Sequence, residues 1–246
     1  GVTEAAVLKA LRWLKHTQSS NGAWGGCPPA MTGFAVLTYL AHGETPASKE
    51  FGDTVQKALD FLIGLFEEGA GNPKFRGSDS NEYSFPIAVY ALAEAYGMTH
   101  NPNCRDVAEK GARRIIDGQN PTGGWDYKMA KDDRDDLSYA GWCMQALKAV
   151  KMAGIHPDGL DECIKRAISC LKARSYNQVT GFTYTPTPRS GAPAEHASGL
   201  TGTGCLCMQL LGYSAEPEVR AALDMMRLWE PALDKTQLPG GPAGSN

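Results

Sequence analysis

The sequence predicts an all-α fold, an α/α toroid of about four and a half helical hairpins with an inner and an outer helix layer. Three observations lead there. Apolar helical stretches recur at a nearly fixed period, they alternate between half-wet and fully apolar kinds, and glycine–aromatic turns separate the two kinds. A fixed period of this size signals stacked units, none of which can bury its own apolar face alone.

The first helix of each unit is marked by an alanine followed by apolar residues. These alanines are Ala10, Ala58, Ala112, Ala167 and Ala222, giving successive spacings of 48, 54, 55 and 55. Val55, Leu59, Leu62, Ile63 and Phe66 form one apolar stripe, and Leu160, Ile164, Ala167, Ile168 and Leu171 another. One wet face and one apolar face place these helices in an outer layer. Asn103 and Asp158 are the expected start signals of the third and fourth, and Pro217 opens the fifth.

The second helix of each unit is apolar on nearly all sides: Phe34 to Leu40, Ile87 to Ala95, Tyr139 to Val150 and Cys205 to Leu211. Such a helix belongs in an interior. Each is followed by a glycine suited to the left-handed C-terminal position, namely Gly43, Gly97, Gly154 and Gly212. The expected repeats lie near 3–43, 53–97, 104–154, 158–212 and 217–234, all within a single domain over 1–235. Residues 236–246, rich in Gly and Pro, read as a flexible tail.

Between the two helices lies a turn. Gln18, Gly22 and Trp24 follow the pattern Gln-x-x-x-Gly-x-Trp, as do Gln119, Gly123 and Trp125; Gly71 with Phe75 and Gly181 with Phe182 keep only the glycine and aromatic. The glutamine can bond backbone groups of a neighbouring helix end, the glycine permits the tight turn, and the indole covers a helix terminus. Turns of this kind in a two-layer helical array resemble the repeat of squalene–hopene and oxidosqualene cyclases, whose fold is shared with protein prenyltransferase β subunits. The resemblance spans about residues 3–233. It implies a terpene-cyclase-like domain that binds an isoprenoid or another apolar ligand, or cyclises one by acid initiation.

Asp133-Arg134-Asp135-Asp136 is an Asp-x-Asp-Asp at the entry of an inner helix. The resemblance implies that Asp135 is a proton donor flanked by Asp133 and Asp136, because class II terpene cyclases carry that motif there. Crowded carboxylates cannot all ionise, so one stays a neutral acid. Tyr83, Tyr90, Tyr139, Trp142 and Phe34 would supply aromatic walls for a carbocation. The plainer reading is that mixed charges between Lys128 and Asp136 form a solvated loop and that Asp136 caps the helix. Prenyltransferase β subunits also hold zinc with Asp, Cys and His. Here His196 has the position for the histidine, but no Asp-x-Cys pair completes the set, so neither metal nor cofactor is expected.

The inner helices are entered through Asn81–Ser84, Asp136–Tyr139 and Glu195–Ser198, and in a ring these entries converge on one mouth. That mouth, lined by Tyr83, Asp135, Asp136, Tyr139, Trp142 and His196, is the expected site. Asp79, Glu82 and Glu195 gather there too, which keeps a carbohydrate site open alongside the isoprenoid one. The alternative function is a non-catalytic toroid binding a protein or glycan through the same mouth. Helix caps bonding one another across repeats would need no ligand.

Bulk properties narrow the classes. The 246 residues are 42% hydrophobic and 21% charged with net charge −3, so there is no basic footprint for nucleic acid. No apolar run approaches the ~20 residues that span a bilayer. Seven scattered cysteines without a CxxC pair read as small hydrophobes and favour a reducing, cytoplasmic compartment. The absence of an initiator Met leaves room for a removed signal peptide. There is no phosphate loop, no Gly-x-Ser-x-Gly elbow and no Cys-Gly-Glu-Gln thioester.

Overall fold

The structure is a computed structural model that describes residues 1–67, 82–184 and 198–228. The outer helices are α1 (Val2–Thr17), α3 (Gly52–Glu67), α5 (Pro102–Asp117), α7 (Leu160–Cys170) and α9 (Pro217–Arg227). The inner helices are α2 (Pro28–Ala41), α4 (Ser84–Thr99), α6 (Leu137–Met152) and α8 (Ser198–Leu210). The inner helices pack in a row, α2 on α4, α4 on α6, α6 on α8, and the outer helices cover one side of that row. The division by burial is the expected one. Ten residues of α4, from Ser84 to Ala95, are buried, against Leu11 alone in α1. The chain is an α/α toroid.

Close packing brings the inner helices together. A Cβ on Gly33 would meet Ile87 Cγ2 at 2.8 Å, and one on Gly141 would meet Thr203 Cγ2 at 2.6 Å. The apolar core runs continuously from Leu11 through α4 and α6 to Ala222. All seven cysteines are free thiols, and six are buried.

Three local expectations are corrected. Helix α5 begins at Pro102 and is capped by Asn101, whose side chain accepts from the Asn103 N–H at 3.0 Å; proline takes the first position because it has no N–H to leave unpaired. Helix α7 begins at Leu160 behind Gly159, not behind Asp158, because Gly159 takes the left-handed conformation there. Helix α4 passes through Gly97 and ends at His100, left-handed at φ 55, whose N–H bonds Tyr96 O. Gly43, Gly154 and Gly212 do have positive φ after their helices. The fourth unit adds a π-turn, Leu171–Ser175, and a two-stranded hairpin, β1 (Tyr176–Asn177) on β2 (Gly181–Phe182), which no sequence pattern announced. The expected turn at Gly71 and Phe75 and the 236–246 tail lie outside the described residues.

Candidate functional site on the concave face

The two Gln-x-x-x-Gly-x-Trp turns work alike. Gln18 Nε2 donates to Gly22 O at 2.9 Å and to Thr54 O of α3 at 3.0 Å; Gln119 Nε2 donates to Gly123 O and to Cys163 O of α7, both at 2.8 Å. Trp24 Nε1 donates to Leu14 O at 2.9 Å, and Trp125 Nε1 to Ile115 O at 2.8 Å. Each turn thus ties the end of one outer helix to the start of the next: the indole satisfies a C-terminal carbonyl that would otherwise go unpaired, and the glutamine amide adds a second bond to a first-turn carbonyl of the following outer helix.

The acidic run divides three ways. Asp135 is buried, and its Oδ1 accepts from Thr122 Oγ1 at 2.6 Å and Asn120 Nδ2 at 3.1 Å. Its Oδ2 accepts from Arg174 Nε at 2.8 Å and faces Cys170 Sγ at 3.6 Å. Those partners belong to the third turn, to α7 and to the π-turn that follows it, so Asp135 sits in the seam between outer helices. Burial, with the Asp135 charge second, pushes the Cys170 thiol up to about 12. The void beside Asp135, lined by Trp125, Met144 and Leu171 among others, is about 10 Å³ and holds no more than a water. Asp136 caps α6, accepting from the N–H groups of Ser138 at 3.0 Å and Tyr139 at 3.4 Å. Asp133 is exposed, and only its backbone carbonyl is engaged, by Arg174 Nη2 at 3.1 Å.

At the entries of α4 and α6 a hydroxyl cluster forms. Tyr83 Oη lies 2.7 Å from Ser138 Oγ and 3.0 Å from Tyr127 Oη, and Ser138 Oγ donates to Asp136 Oδ1 at 2.5 Å. The rings of Tyr83, Tyr127 and Tyr139 pack with centroids 5.5 to 6.1 Å apart. Burial raises the pKa of both Tyr127 and Tyr139, so their hydroxyls are neutral hydrogen-bond donors. Two of the three inner-helix entries therefore meet. The third contains Glu195 and His196, which lie outside the described residues, as does Asp79; Glu82 is exposed.

Further along α4 the concave side takes shape. Tyr83 pairs with Ser138, and Gly97 lies against Ala153, so α4 and α6 run parallel with a constant offset. Phe34 of α2 and Trp142 of α6 make an edge contact at 5.4 Å. Their helices flank α4, so the rings meet over α4 on the side opposite its outer cover. Gly33 touches Ile87, which puts that contact above Ile87 and explains why Ile87 is only 2% exposed. One turn on is Tyr90, and one more turn on is Glu94; both are half-buried. Thr38 of α2 and Gln145 and Lys148 of α6 lie at similar height on the flanking helices. Burial raises the Glu94 pKa, and burial followed by the Glu94 charge raises that of Tyr90. Glu94 accepts no hydrogen bond and makes no ion pair among the described residues.

Sequence reasoning passed over Tyr127, Ser138, Arg174 and Glu94. The signal for Glu94 was present, as the one charged residue in the helix SFPIAVYALAEAYGMT. Among the described residues no three His, Cys, Asp or Glu side chains converge as metal ligands would, and no helix is long and apolar enough to cross a membrane.

No family profile and no curated protein matches the sequence. Solved structures do. One is described as glycosyl hydrolase family 88 from Bacteroides vulgatus; it superposes with a TM-score of 0.60 over 86% of this chain and 67% of its own, at 14% identity. At that identity the likeness speaks to fold, and it supports the α/α toroid rather than the cyclase superfamily in particular.

Proposed function

We propose that the concave face of the inner helices binds a carbohydrate chain. The observation that carries this reading is the Phe34–Trp142 pair closing over α4, with Tyr90 one turn beyond and the Tyr83–Tyr127–Ser138 hydroxyls one turn before. Aromatic faces that alternate with hydroxyl, amide and carboxyl groups along an open groove match the alternating apolar faces and hydroxyl edges of a pyranose chain. That the structural neighbour is described as a glycosyl hydrolase adds support by analogy of fold alone.

The aromatic groove also suits an isoprenoid, the second reading, and the Asp-x-Asp-Asp motif together with the cyclase resemblance speaks for it. Against it stands the position of Asp135. A proton donor needs a carboxyl free to hold and release a proton at the substrate. Asp135 instead bonds Arg174, Asn120 and Thr122 in the outer seam, beside a void of about 10 Å³. In the reading favoured here Asp135 positions the α6 entry and touches no substrate.

Calorimetric titration with a panel of neutral and charged oligosaccharides, and with an isoprenoid diphosphate, tests both readings. Trp142→Ala is expected to weaken oligosaccharide binding by at least about tenfold with the circular dichroism spectrum unchanged. If every oligosaccharide fails to bind while the isoprenoid binds, the carbohydrate reading falls. If Asp135→Asn then abolishes isoprenoid turnover in a folded protein, the acid assignment is restored.

A further inference from the structure

Glu94 is the feature of the groove that a neutral sugar leaves unexplained. It is the one acidic side chain of α4, it is half-buried, and it has neither hydrogen bond nor ion pair among the described residues. Lys148, the cation at similar height on α6, makes no ion pair with it, and α2 offers Thr38, which carries no charge. Tyr90, one turn away on the same face, is close enough to feel the Glu94 charge. A partly desolvated, uncompensated carboxylate is unfavourable in the free protein, so it gains most from a ligand that brings a positive charge. Aromatic rings beside it add to that preference, because an ammonium is drawn to ring faces as well as to the carboxylate.

Resting on the carbohydrate reading, we infer that the groove selects amino sugars with a free amine, the Glu94 carboxylate receiving the ammonium beside Tyr90. An N-acetylated sugar presents an amide there and forfeits the charge pairing, and a uronic acid is repelled.

The test compares three hexamers by calorimetry at slightly acid pH, where the sugar amine is protonated: glucosamine, N-acetylglucosamine and glucose, each β-1,4-linked. Wild-type protein is expected to bind the glucosamine hexamer at least about tenfold tighter than the N-acetylated one, with the ratio falling as salt rises. Glu94→Gln, with folding checked by circular dichroism, collapses that ratio to near unity. Equal wild-type affinities for the two amino-sugar hexamers, or a ratio that survives in Glu94→Gln, overturns the inference and leaves the carbohydrate reading standing. Failure of all three hexamers to bind overturns both.

Discussion

The first and third units carry the same turn in different surroundings. The Gln, Gly and Trp bonds correspond one for one, and Gly22 and Gly123 both sit at positive φ, 89 and 98°. Around the third turn everything is closed: Trp125 is fully buried, Gln119 is buried, and Asp135, Asn120 and Arg174 extend the staple into α7. Around the first turn, α1 lies nearly bare, with Trp13 64% exposed, and Gly25 to Cys27 stand where the third unit has its acidic run. The Asp-x-Asp-Asp is thus an elaboration of one staple, and the bare copy shows that the staple forms without it.

The largest expected effect breaks the third unit alone. Asp135→Ala leaves Asn120, Thr122 and the partly exposed Arg174 without their shared acceptor and should cost about 3 kcal/mol in urea denaturation. Asp136→Ala, which removes a helix cap and the acceptor of the Ser138 hydroxyl, should cost less, about 1–2 kcal/mol. If the two variants proved equally mild, Asp135 would not be holding the seam. Next come the glycines. A Cβ on Gly123 would stand 2.3 Å from Arg166 O, and one on Gly22 2.2 Å from Lys57 O. Each alanine variant should lose about 2–3 kcal/mol, since both the conformation and the space forbid a side chain. Gly123→Ala should be the worse because its surroundings cannot yield; the reverse order would mean that the exposed turn carries more of the fold.

The smallest effect concerns pH. His42, after α2, bonds Glu44 at 3.0 Å and reaches Glu4 of α1 at 3.1 Å, and those hydrogen bonds raise its pKa. A group with a raised folded pKa lends its stability fully below the unfolded value and loses it as pH rises through the folded one. Hydrogen exchange in α1, corrected for intrinsic rate, should therefore quicken a few-fold as pH rises from the acid side through the raised His42 value. Exchange in α5 should not follow. Parallel changes in both helices would mean that the first unit is not separately tethered.

The layers, the glycine stops after α2, α6 and α8, and the glutamine and indole bonds of the two turns were legible because repetition exposes them: five outer stripes alternate with apolar helices. The direction of Asp135 was not. Asp136 has extended backbone, φ −130° and ψ 108°, and neighbouring side chains in extended chain point to opposite sides. A motif spelled in consecutive letters therefore splits, one carboxylate to the helix start and the other to the seam. His100 misled similarly, taking a left-handed conformation that composition assigns to glycine. The Phe34–Trp142 meeting joins residues 108 positions apart and depends on helix register, which no local pattern encodes.

The spacing of neighbouring inner helices depends on their smallest residues. Where Gly33 receives Ile87 and Gly141 receives Thr203, adjacent axes can close up only because a methyl group is missing. A single added carbon at either point would splay two neighbours and move Phe34 relative to Trp142. On the carbohydrate reading proposed above, the spacing of the two rings is therefore adjustable from positions between the helices, and a variant with altered ligand size preference need not alter either ring.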